Sequence, residues 1–387
     1  MQKVYLDHGA TTRLNDEVFE EMKPYLTEIY GNPSSIHSFG REARKAIDEA
    51  REKVAAAIGA EPKEIIFTSG ATEADNIAIR GVARAQQKKG NHIITSAVEH
   101  HAVLDMCKAM KKEGFDVTIL PVDEYGLVSV ADVEAAITEQ TILVTIMMAN
   151  NEVGTVMPIA EIGQICENRG ITFHTDAVQA IGNLPVNVND LHVDLLSLSA
   201  HKFYGPKGIG VLYVRKGTKV NPYNFGGAQE RKIRPGTENI PGVVGLGKAI
   251  ELAVTDMEAK TARVKAMRDK LKDGILAIDA TKLNGHPEQR LPGNLNVSVE
   301  YVEGESLILS LDLKGIAVSS GSACTSGSLD PSHVLMAMGL DHQTAHGSLR
   351  FTLGVDNTDQ EMDYVLDVLP EIVTRLRSMS PVYACKK

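Results

Sequence analysis

Short apolar runs alternate with amphipathic helical segments between about residue 15 and residue 255. This alternation is typical of an α/β domain with a mainly parallel sheet. Helices are predicted at residues 72–87, 101–113 and 159–169, and Gly114 and Gly170 follow the last two as C-terminal caps. Seven strands are predicted, at residues 64–68, 92–95, 117–120, 142–148, 172–175, 195–199 and 210–214. We therefore expect one large sheet with helices packed against it.

A second pattern begins after Pro241, where a helix-like stretch covers residues 243–277. Further strands are then predicted at residues 294–299, 317–319 and 348–352, and helices at residues 305–312 and 360–378. This arrangement favours a smaller α+β domain. We predict a large domain over residues 15–255 and a small domain formed by residues 1–14 together with residues 256–387.

Composition narrows the class of protein. The chain has 387 residues, is 43% hydrophobic and carries a formal net charge of -10 without a basic cluster, so no nucleic-acid partner is expected. The longest apolar run, residues 142–149, is far shorter than the roughly 20 residues of a membrane-spanning helix. The N-terminus does not resemble a secretory signal. A cytoplasmic protein without a membrane partner is expected.

The four cysteines suggest neither a structural metal site nor a disulfide framework, because they are widely spaced. Cys107 and Cys166 lie on apolar helix faces and are predicted to be buried. Cys324 differs, because residues 319–331 around it are almost entirely small or polar. This composition predicts a mobile loop with an exposed thiol, which suits a group that enters a pocket, attacks and then leaves with its cargo.

In open α/β sheets, ligands bind beyond the carboxyl ends of the strands. After the first predicted strand comes Ser69-Gly70-Ala71-Thr72-Glu73, a turn of small residues that opens a helix. The free N–H groups and the dipole of such a helix favour a phosphate. Taken alone, the same turn also fits an ordinary capped helix.

Two further strand ends change that balance. Asp176 ends one predicted strand, and Lys202 lies just beyond another. Pyridoxal phosphate requires this pairing, since a carboxylate keeps the pyridine nitrogen protonated and a lysine amine binds the cofactor covalently. Together with the phosphate turn, the two residues predict a pyridoxal-phosphate enzyme.

The sequence resembles the class V, fold-type I pyridoxal-phosphate enzymes and, among them, the NifS/IscS-type cysteine desulfurases. The resemblance extends over nearly the whole chain. The motifs that carry it are Tyr5-Leu6-Asp7, Ala10-Thr11-Thr12, Gly31-Asn32-Pro33-Ser34-Ser35, Ser199-Ala200-His201-Lys202, Ser319-Ser320-Gly321-Ser322-Ala323-Cys324-Thr325-Ser326 and Ser348-Leu349-Arg350-Phe351. Two departures are His8-Gly9, where many relatives carry Asn-Asn or Asn-Ala, and a chain that ends soon after Ser380-Pro381, earlier than the IscS-type tail that docks a scaffold protein.

The resemblance implies a role for each matching position in the cofactor site. His100 stacks on the pyridine ring, Asp176 pairs with the ring nitrogen, and Gln179 bonds the phenolic oxygen. Lys202 forms the covalent link and moves the α-proton of the substrate. The phosphate cradle is implied at Ala71, Thr72, Ser199 and His201.

The remaining implied roles concern the substrate and a second subunit. Asn151 contacts the cofactor and the substrate carboxylate, and Arg350 provides a planar fork for a bidentate grip on that carboxylate. Thr237 reaches the phosphate of the neighbouring subunit, which implies an obligate homodimer.

The implied reaction removes sulfur from L-cysteine and releases L-alanine. Cys324 takes the sulfur as a persulfide, and His100 is the first candidate for activating its thiol. The acceptor is an iron–sulfur scaffold protein or another thiol carrier, with a transient iron–sulfur contact at Cys324. Nitrogenase maturation, general cluster assembly and tRNA thiolation all share this site and stay open.

Two alternatives also stay open. A class V aminotransferase or a selenocysteine lyase would share Lys202, Asp176 and the phosphate cradle, although an aminotransferase has no need of Cys324. The other alternative is a sulfur-relay or interaction module that keeps the fold without catalysis, and it predicts a colourless protein.

Overall fold

A computed structural model of the chain describes residues 3–320, 331–380 and 383. Its strands there are β1 (Val4–Tyr5), β2 (Ile65–Thr68), β3 (His92–Ser96), β4 (Asp116–Leu120), β5 (Thr141–Thr145), β6 (Thr172–Asp176), β7 (Leu195–Ser199), β8 (Gly210–Val214), β9 (Thr281–Asn284), β10 (Asn294–Val299), β11 (Ile316–Ala317) and β12 (Ser348–Thr352). The α-helices are α1 (Asp16–Met22), α2 (Pro24–Thr27), α3 (Ser38–Ile58), α4 (Ala71–Gln86), α5 (His101–Lys112), α6 (Val130–Ala136), α7 (Ile159–Arg169), α8 (Ile240–Val254), α9 (Met257–Leu276), α10 (Gly304–Asp312), α11 (His333–Ala337), α12 (His342–His346) and α13 (Asp359–Met379).

The central sheet contains the seven predicted strands in the order β2-β8-β7-β6-β5-β3-β4. Only β8 runs antiparallel to its neighbours in this sheet. The prediction of an α/β fold with a seven-stranded, mainly parallel sheet is therefore confirmed. The strand predicted to reach Met148 ends at Thr145. Ile146 and Met148 still donate backbone hydrogen bonds to the carbonyls of His174 and Asp176, so the chain stays beside β6 up to the next turn.

Helices cover both faces of this sheet. Strands β2, β3, β5, β6, β7 and β8 are buried along their whole length, as expected for strands with helices on both sides of the sheet. On one face, α3 packs against α8 at close range. A Cβ atom on Gly247 of α8 would lie 2.9 Å from the Cα of Ala50, so only glycine allows this approach.

The remaining strands form two small sheets. β12-β10-β9 is antiparallel, and β1 pairs in parallel with β11. The N-terminal strand thus joins the C-terminal third of the chain around a separate apolar core that includes Leu6, Leu271, Leu349 and Leu369. The boundaries at residues 14/15 and 255/256 stay a prediction.

The helix predicted over residues 243–277 is two helices. α8 ends at Val254 and α9 begins at Met257, and between them Asp256 has a φ of 50°, which breaks the helix. The hydroxyl of Thr255 donates to the carbonyl of Glu251 at 2.8 Å at the end of α8. The break lets the chain leave the large sheet and turn toward the small ones.

The cysteine predictions are tested in part. Cys107 and Cys166 are buried as predicted, and burial raises the pKa of each thiol to about 12. Both are therefore unreactive. Cys324 and Cys385 lie outside the described residues. Within the described part of the chain, no helix is long and apolar enough to cross a membrane.

Candidate active site

A cavity of about 550 Å³ opens where β2, β3, β6 and β7 end. This is the edge of the sheet at which ligands bind in such folds. Thr237, which is predicted to serve the site of the neighbouring subunit, is exposed and does not line the cavity of its own chain. The other predicted site residues that the structure describes all line it, namely Ala71, Thr72, His100, Asn151, Asp176, Gln179, Ser199, His201, Lys202 and Arg350.

One end of the cavity is suited to an anion. α4 starts there, and its N-cap Gly70 makes no side-chain cap, so the first N–H groups of the helix stay available. The turn lies directly on β8, because a Cβ atom on Gly210 would come within 2.7 Å of the Cα of Gly70. Glu73 accepts from the N–H of Ser69 and from Arg234 Nε at 3.0 Å, which fixes the turn from the outside.

His201 lies at the same end of the cavity. Its Nδ1 is 3.2 Å from the hydroxyl of Thr11. Burial, helped by the charges of Lys202 and Lys207, lowers the pKa of His201 to about 4. The ring is therefore neutral near pH 7 and can donate one hydrogen bond to a phosphate oxygen.

Asp176 lies deeper in the cavity. It is 6% exposed and accepts a hydrogen bond from the N–H of Val178 at 2.9 Å. Burial raises its pKa, and the nearby charges of His100 and Lys202 act in the opposite direction. A buried carboxylate of this kind favours a cation beside it, as a protonated pyridine nitrogen would be.

Lys202 closes the cavity on the side of the N-terminal segment. It ends a short 3-10 helix, Ala200–Lys202, which follows β7. Its Nζ donates to the carbonyl oxygens of Gly9 at 2.5 Å and Ala10 at 2.9 Å. The amide Nε2 of Gln179 donates to the same carbonyl of Gly9 at 3.0 Å.

Sequence reasoning assigned no role to this N-terminal segment, although its motif was part of the resemblance. The contribution of Gly9 and Ala10 is made by backbone carbonyls, which leave no signal in side-chain chemistry. Thr12 holds the segment in place, since its N–H and its hydroxyl both donate to the carbonyl of His201, at 2.9 and 3.0 Å. The departure at His8-Gly9 thus leaves the backbone contact to Lys202 intact.

His100 caps α5 at the mouth of the cavity. Its Nδ1 accepts from the N–H of Ala102 at 3.1 Å, so the hydrogen of the neutral ring is on Nε2. Burial lowers its pKa, which favours this neutral form. His101 points elsewhere, with its ring 4.7 Å from that of His333.

Arg350 is 2% exposed and lines the cavity. Its Nη2 donates to Asp7 at 3.0 Å and its Nη1 to the carbonyl of Asn151 at 3.1 Å, whereas its buried Nε has no hydrogen-bond partner among the described residues. A ligand carboxylate would satisfy that donor. Asn150, which precedes Asn151 in the chain, shapes the turn that contains both. Its side chain accepts hydrogen bonds from the N–H groups of Glu152 and Val153, each at 2.9 Å.

The segment that contains Cys324 is anchored beside this site at both ends. Upstream, Ser319 exchanges two backbone hydrogen bonds with Arg350, at 3.2 and 2.7 Å. Downstream, the hydroxyl of Ser332 donates to the buried carboxyl of Glu152. His333 Nε2 lies 3.0 Å from the carbonyl of Glu99.

Comparison with known proteins agrees with this geometry. The family model "Aminotransferase class-V" matches residues 4–365. The chain is 57% identical over 379 residues to the cysteine desulfurase IscS of Methanosarcina thermophila, covering 98% of this chain and 94% of that protein. It is 56% identical over 381 residues to the protein of the same name from Dictyoglomus turgidum, covering 98% and 97%.

Solved structures lead to the same family. A NifS-like protein matches with a TM-score of 0.92 and 42% identity over 97% of this chain and 100% of that one. The structure described as SspA in complex with cysteine matches with a TM-score of 0.82 and 38% identity, over 92% and 100%. The chain belongs to the class-V aminotransferase family. These relatives also confirm the resemblance to the NifS/IscS-type cysteine desulfurases.

Proposed function

We propose that this protein is a pyridoxal-phosphate-dependent cysteine desulfurase, which takes sulfur from L-cysteine, releases L-alanine and carries the sulfur as a persulfide on Cys324. One observation carries the proposal. A single cavity gathers an uncapped helix N-terminus, the buried carboxylate of Asp176 and the amine of Lys202. The helix N-terminus suits the anionic phosphate of the cofactor, the carboxylate suits its cationic ring nitrogen, and the amine suits its carbonyl group.

The residues present fit pyridoxal phosphate. The start of α4 with Ala71, Thr72, Ser199 and His201 would hold the phosphate, and Asp176 would hold the protonated ring nitrogen. Gln179 would bond the phenolic oxygen and His100 would cover one face of the ring. When bound, the cofactor supplies an electron-accepting ring that weakens the bonds at the substrate's α-carbon.

Lys202 would both bind the cofactor covalently and move a proton. The carbonyls of Gly9 and Ala10 hold its Nζ at the cavity wall. Its amine, which lies within the same cavity, would take the α-proton of the substrate.

Cys324 lies outside the described residues, five positions after Ser319 in sequence. Ser319 exchanges backbone hydrogen bonds with Arg350 at the cavity. The thiolate of Cys324 would attack the sulfur of the substrate. An S–S bond forms as the C–S bond breaks, and the electron pair of that bond stays on carbon, which gains a proton to become the methyl group of alanine.

His100 would serve this sequence through a hydrogen bond. Because its Nδ1 accepts the N–H of Ala102 and burial favours the neutral ring, the hydrogen on Nε2 is the one that it donates. Loss of that hydrogen would leave an imidazolate, so the neutral ring would act as a hydrogen-bond donor and not as a proton donor. Its role in activating the thiol of Cys324 stays a prediction.

Arg350 would grip the carboxylate of the substrate, with Asn151 beside it. Arg350→Lys is expected to raise the KM for cysteine by about 10- to 100-fold, because a lysine ammonium cannot make the planar bidentate contact. Steady-state kinetics over a wide cysteine range measure the change, and bound cofactor should be retained.

Arg377→Lys is the matched control. Arg377 is also a buried arginine that donates to backbone carbonyls, those of Glu300 and Ala280, but it does not line the cavity. It should leave the KM unchanged. An Arg350→Lys enzyme with an unaltered KM would remove Arg350 from the substrate site.

A homodimer would complete the site through Thr237. In the single chain this residue is exposed and outside the cavity, yet Arg234 just before it bonds Glu73 of the cavity wall. Large apolar side chains are also exposed in the same protomer, including Tyr30 at 69%, Ile36 at 92% and Phe225 at 89%. Burial of these side chains against a second copy would remove apolar area from water.

Two variants test the shared site. Light scattering should give a mass twice that of one chain, and Thr237→Ala should bind the cofactor about 5- to 20-fold more weakly through loss of one phosphate hydrogen bond. Heterodimers of Thr237→Ala with Lys202→Ala chains should regain one site of wild-type cofactor affinity, since both intact residues then meet in one pocket. The control, Thr374→Ala on α13, should bind normally. A monomer, or heterodimers without a wild-type site, would contradict this assignment.

The proposed sulfur acceptor is an iron–sulfur scaffold protein or another thiol carrier in the cytoplasm, with a transient iron–sulfur contact at Cys324. The decisive experiment incubates purified protein and added pyridoxal phosphate with L-cysteine and a thiol reductant. Alanine and sulfide should appear in equal amounts. Keto-acid formation without sulfide would favour an aminotransferase. In a parallel assay, alanine formed from selenocysteine but not from cysteine would favour a selenocysteine lyase. A colourless, inactive protein would favour a sulfur relay.

A further inference from the structure

Three buried carboxyl groups lie close enough together near the cavity for their charges to interact. Asp75 of α4 is 1% exposed, Glu99 is 0% exposed, and Asp176 of β6 is 6% exposed. Asp75 and Asp176 both line the cavity. Three negative charges in one desolvated region repel one another, so they cannot all be ionised near pH 7.

The contacts decide which carboxyl keeps its charge. Asp176 accepts a hydrogen bond from the N–H of Val178, and the positive charge of Lys202 favours its ionised form, which holds for neither Asp75 nor Glu99. Asp75 receives a single side-chain hydrogen bond, from Ser197, and the charges acting on it are those of Asp176 and Glu99. Both its burial and these charges raise its pKa well above the ordinary value.

Glu99 is in a similar position. Its Oε1 accepts from the hydroxyl of Ser96 at 2.6 Å and from the N–H of Met147 at 3.0 Å, and its Oε2 has no hydrogen-bond partner. Burial raises its pKa to about 8. Glu99 thus also tends to be neutral at pH 7, which leaves Asp176 as the charged member.

A chain of hydrogen bonds links Asp75 to the strand of Asp176. His174 is fully buried and its Nε2 lies 3.0 Å from the hydroxyl of Ser197, while its Nδ1 lies 2.8 Å from the hydroxyl of Thr145. Since Ser197 donates to Asp75, the neutral ring donates from Nε2 to Ser197 and accepts at Nδ1 from Thr145. This order matches one donor with one acceptor at each of the three contacts.

The position of Ser197 connects this chain to the cofactor site. Ser197 on β7 is the direct cross-strand neighbour of Asp176 on β6. The remaining oxygen of Asp75, Oδ1, has no hydrogen-bond partner and lies 3.6 Å from His174 Nε2, too far for a hydrogen bond. A proton on Asp75 removes the cost of a second buried charge beside Asp176.

We propose that Asp75 is a positioning residue that carries a proton in the working enzyme and, through Ser197 and His174, keeps the negative charge at this end of the cavity on Asp176. The inference rests on the proposed function, because Asp176 needs that charge to keep the pyridine nitrogen protonated. A neutral Asp75 acts by orienting hydrogen bonds, whereas an ionised Asp75 would act by its charge, and the two roles predict different variants.

The test is a pH titration of the near-visible absorbance of the holoenzyme, together with kinetics. Asp75→Asn preserves a neutral polar group, so its titration midpoint should stay within about 0.3 pH units of wild type. Asp75→Leu leaves the hydroxyl of Ser197 without its acceptor, so the midpoint should move by about 0.5 pH units or more and kcat should fall about 10-fold with little change in KM. Asp105→Asn, at an exposed carboxyl of α5, is the control for a charge change alone.

Two outcomes would overturn the proposal. If Asp75 carries a charge, Asp75→Asn should lower the midpoint by about one pH unit, since a negative charge that favours protonation is lost. If Asp75 is only a spacer, a folded Asp75→Leu protein should titrate like wild type. Should the leucine variant not fold, the asparagine variant still decides the charge. A wild type that binds the cofactor but releases no alanine or sulfide would instead refute the proposed reaction, without affecting this titration.

Discussion

Replacing Lys202 with alanine is expected to abolish sulfide and alanine formation, with a loss of at least about 1,000-fold in kcat/KM. The same side chain would make the covalent bond to the cofactor and take the α-proton, so two steps fail together. In wild type, borohydride reduction should fix a phosphopyridoxyl group on the peptide that contains Lys202, and mass spectrometry of the digest measures it. In Lys202→Ala, no lysine peptide should be labelled.

Lys202→Arg separates charge from amine chemistry. Arginine keeps a cation near the carbonyls of Gly9 and Ala10, but it cannot form the covalent link, so this variant should be as inactive as alanine. Thermal melting should show that both variants are folded. A reduced label on a lysine other than Lys202, or turnover that survives in Lys202→Ala, would refute the assignment.

The large sheet was predictable because its strands are buried on both faces. Short segments dominated by apolar residues, such as Leu195–Ser199 and Gly210–Val214, favour buried strands, and the predicted bounds of these two strands agree with the structure. The strand-end rule then placed Asp176, at the end of β6, and Lys202, just beyond β7, in one cavity. These predictions needed only local pattern and one general rule of topology.

The contacts that shape the site were not predictable in the same way. Asp7 meets Arg350 across 343 positions of sequence, and Gly9 contacts Lys202 through a carbonyl oxygen. Neither contact can be recognised from hydrophobic periodicity. The contact of Asp7 depends on the pairing of distant segments, and that of Gly9 depends on the backbone. From the sequence, Asp75 is expected on the polar face of α4. In the structure it is buried beside His174 of β6. Similarly, the helix propensities of the residues around Asp256 do not predict the break between α8 and α9.

Replacing Cys324 with serine is expected to separate sulfur transfer from cofactor binding. A hydroxyl is a far weaker nucleophile than a thiolate, so sulfide release should fall by at least about 1,000-fold. The residues that would hold the cofactor are untouched, so the near-visible absorbance and the borohydride label on Lys202 should remain. Intact-mass measurement after exposure to cysteine should find wild type heavier by one sulfur atom and Cys324→Ser unchanged.

Cys385→Ser is the matched control, because it makes the same substitution at a cysteine other than Cys324 and leaves the buried Cys107 and Cys166 unchanged. It should form the persulfide at the wild-type rate. The two variants together decide where sulfur is carried, since the buried thiols have pKa values raised to about 12 and are poor nucleophiles near pH 7. If the assignment is right, Cys324→Ser does not keep persulfide formation and turnover. If both persist in Cys324→Ser and are lost in Cys385→Ser, the sulfur carrier is Cys385. That result would refute the role of residues 319–331 and leave the cofactor site as described.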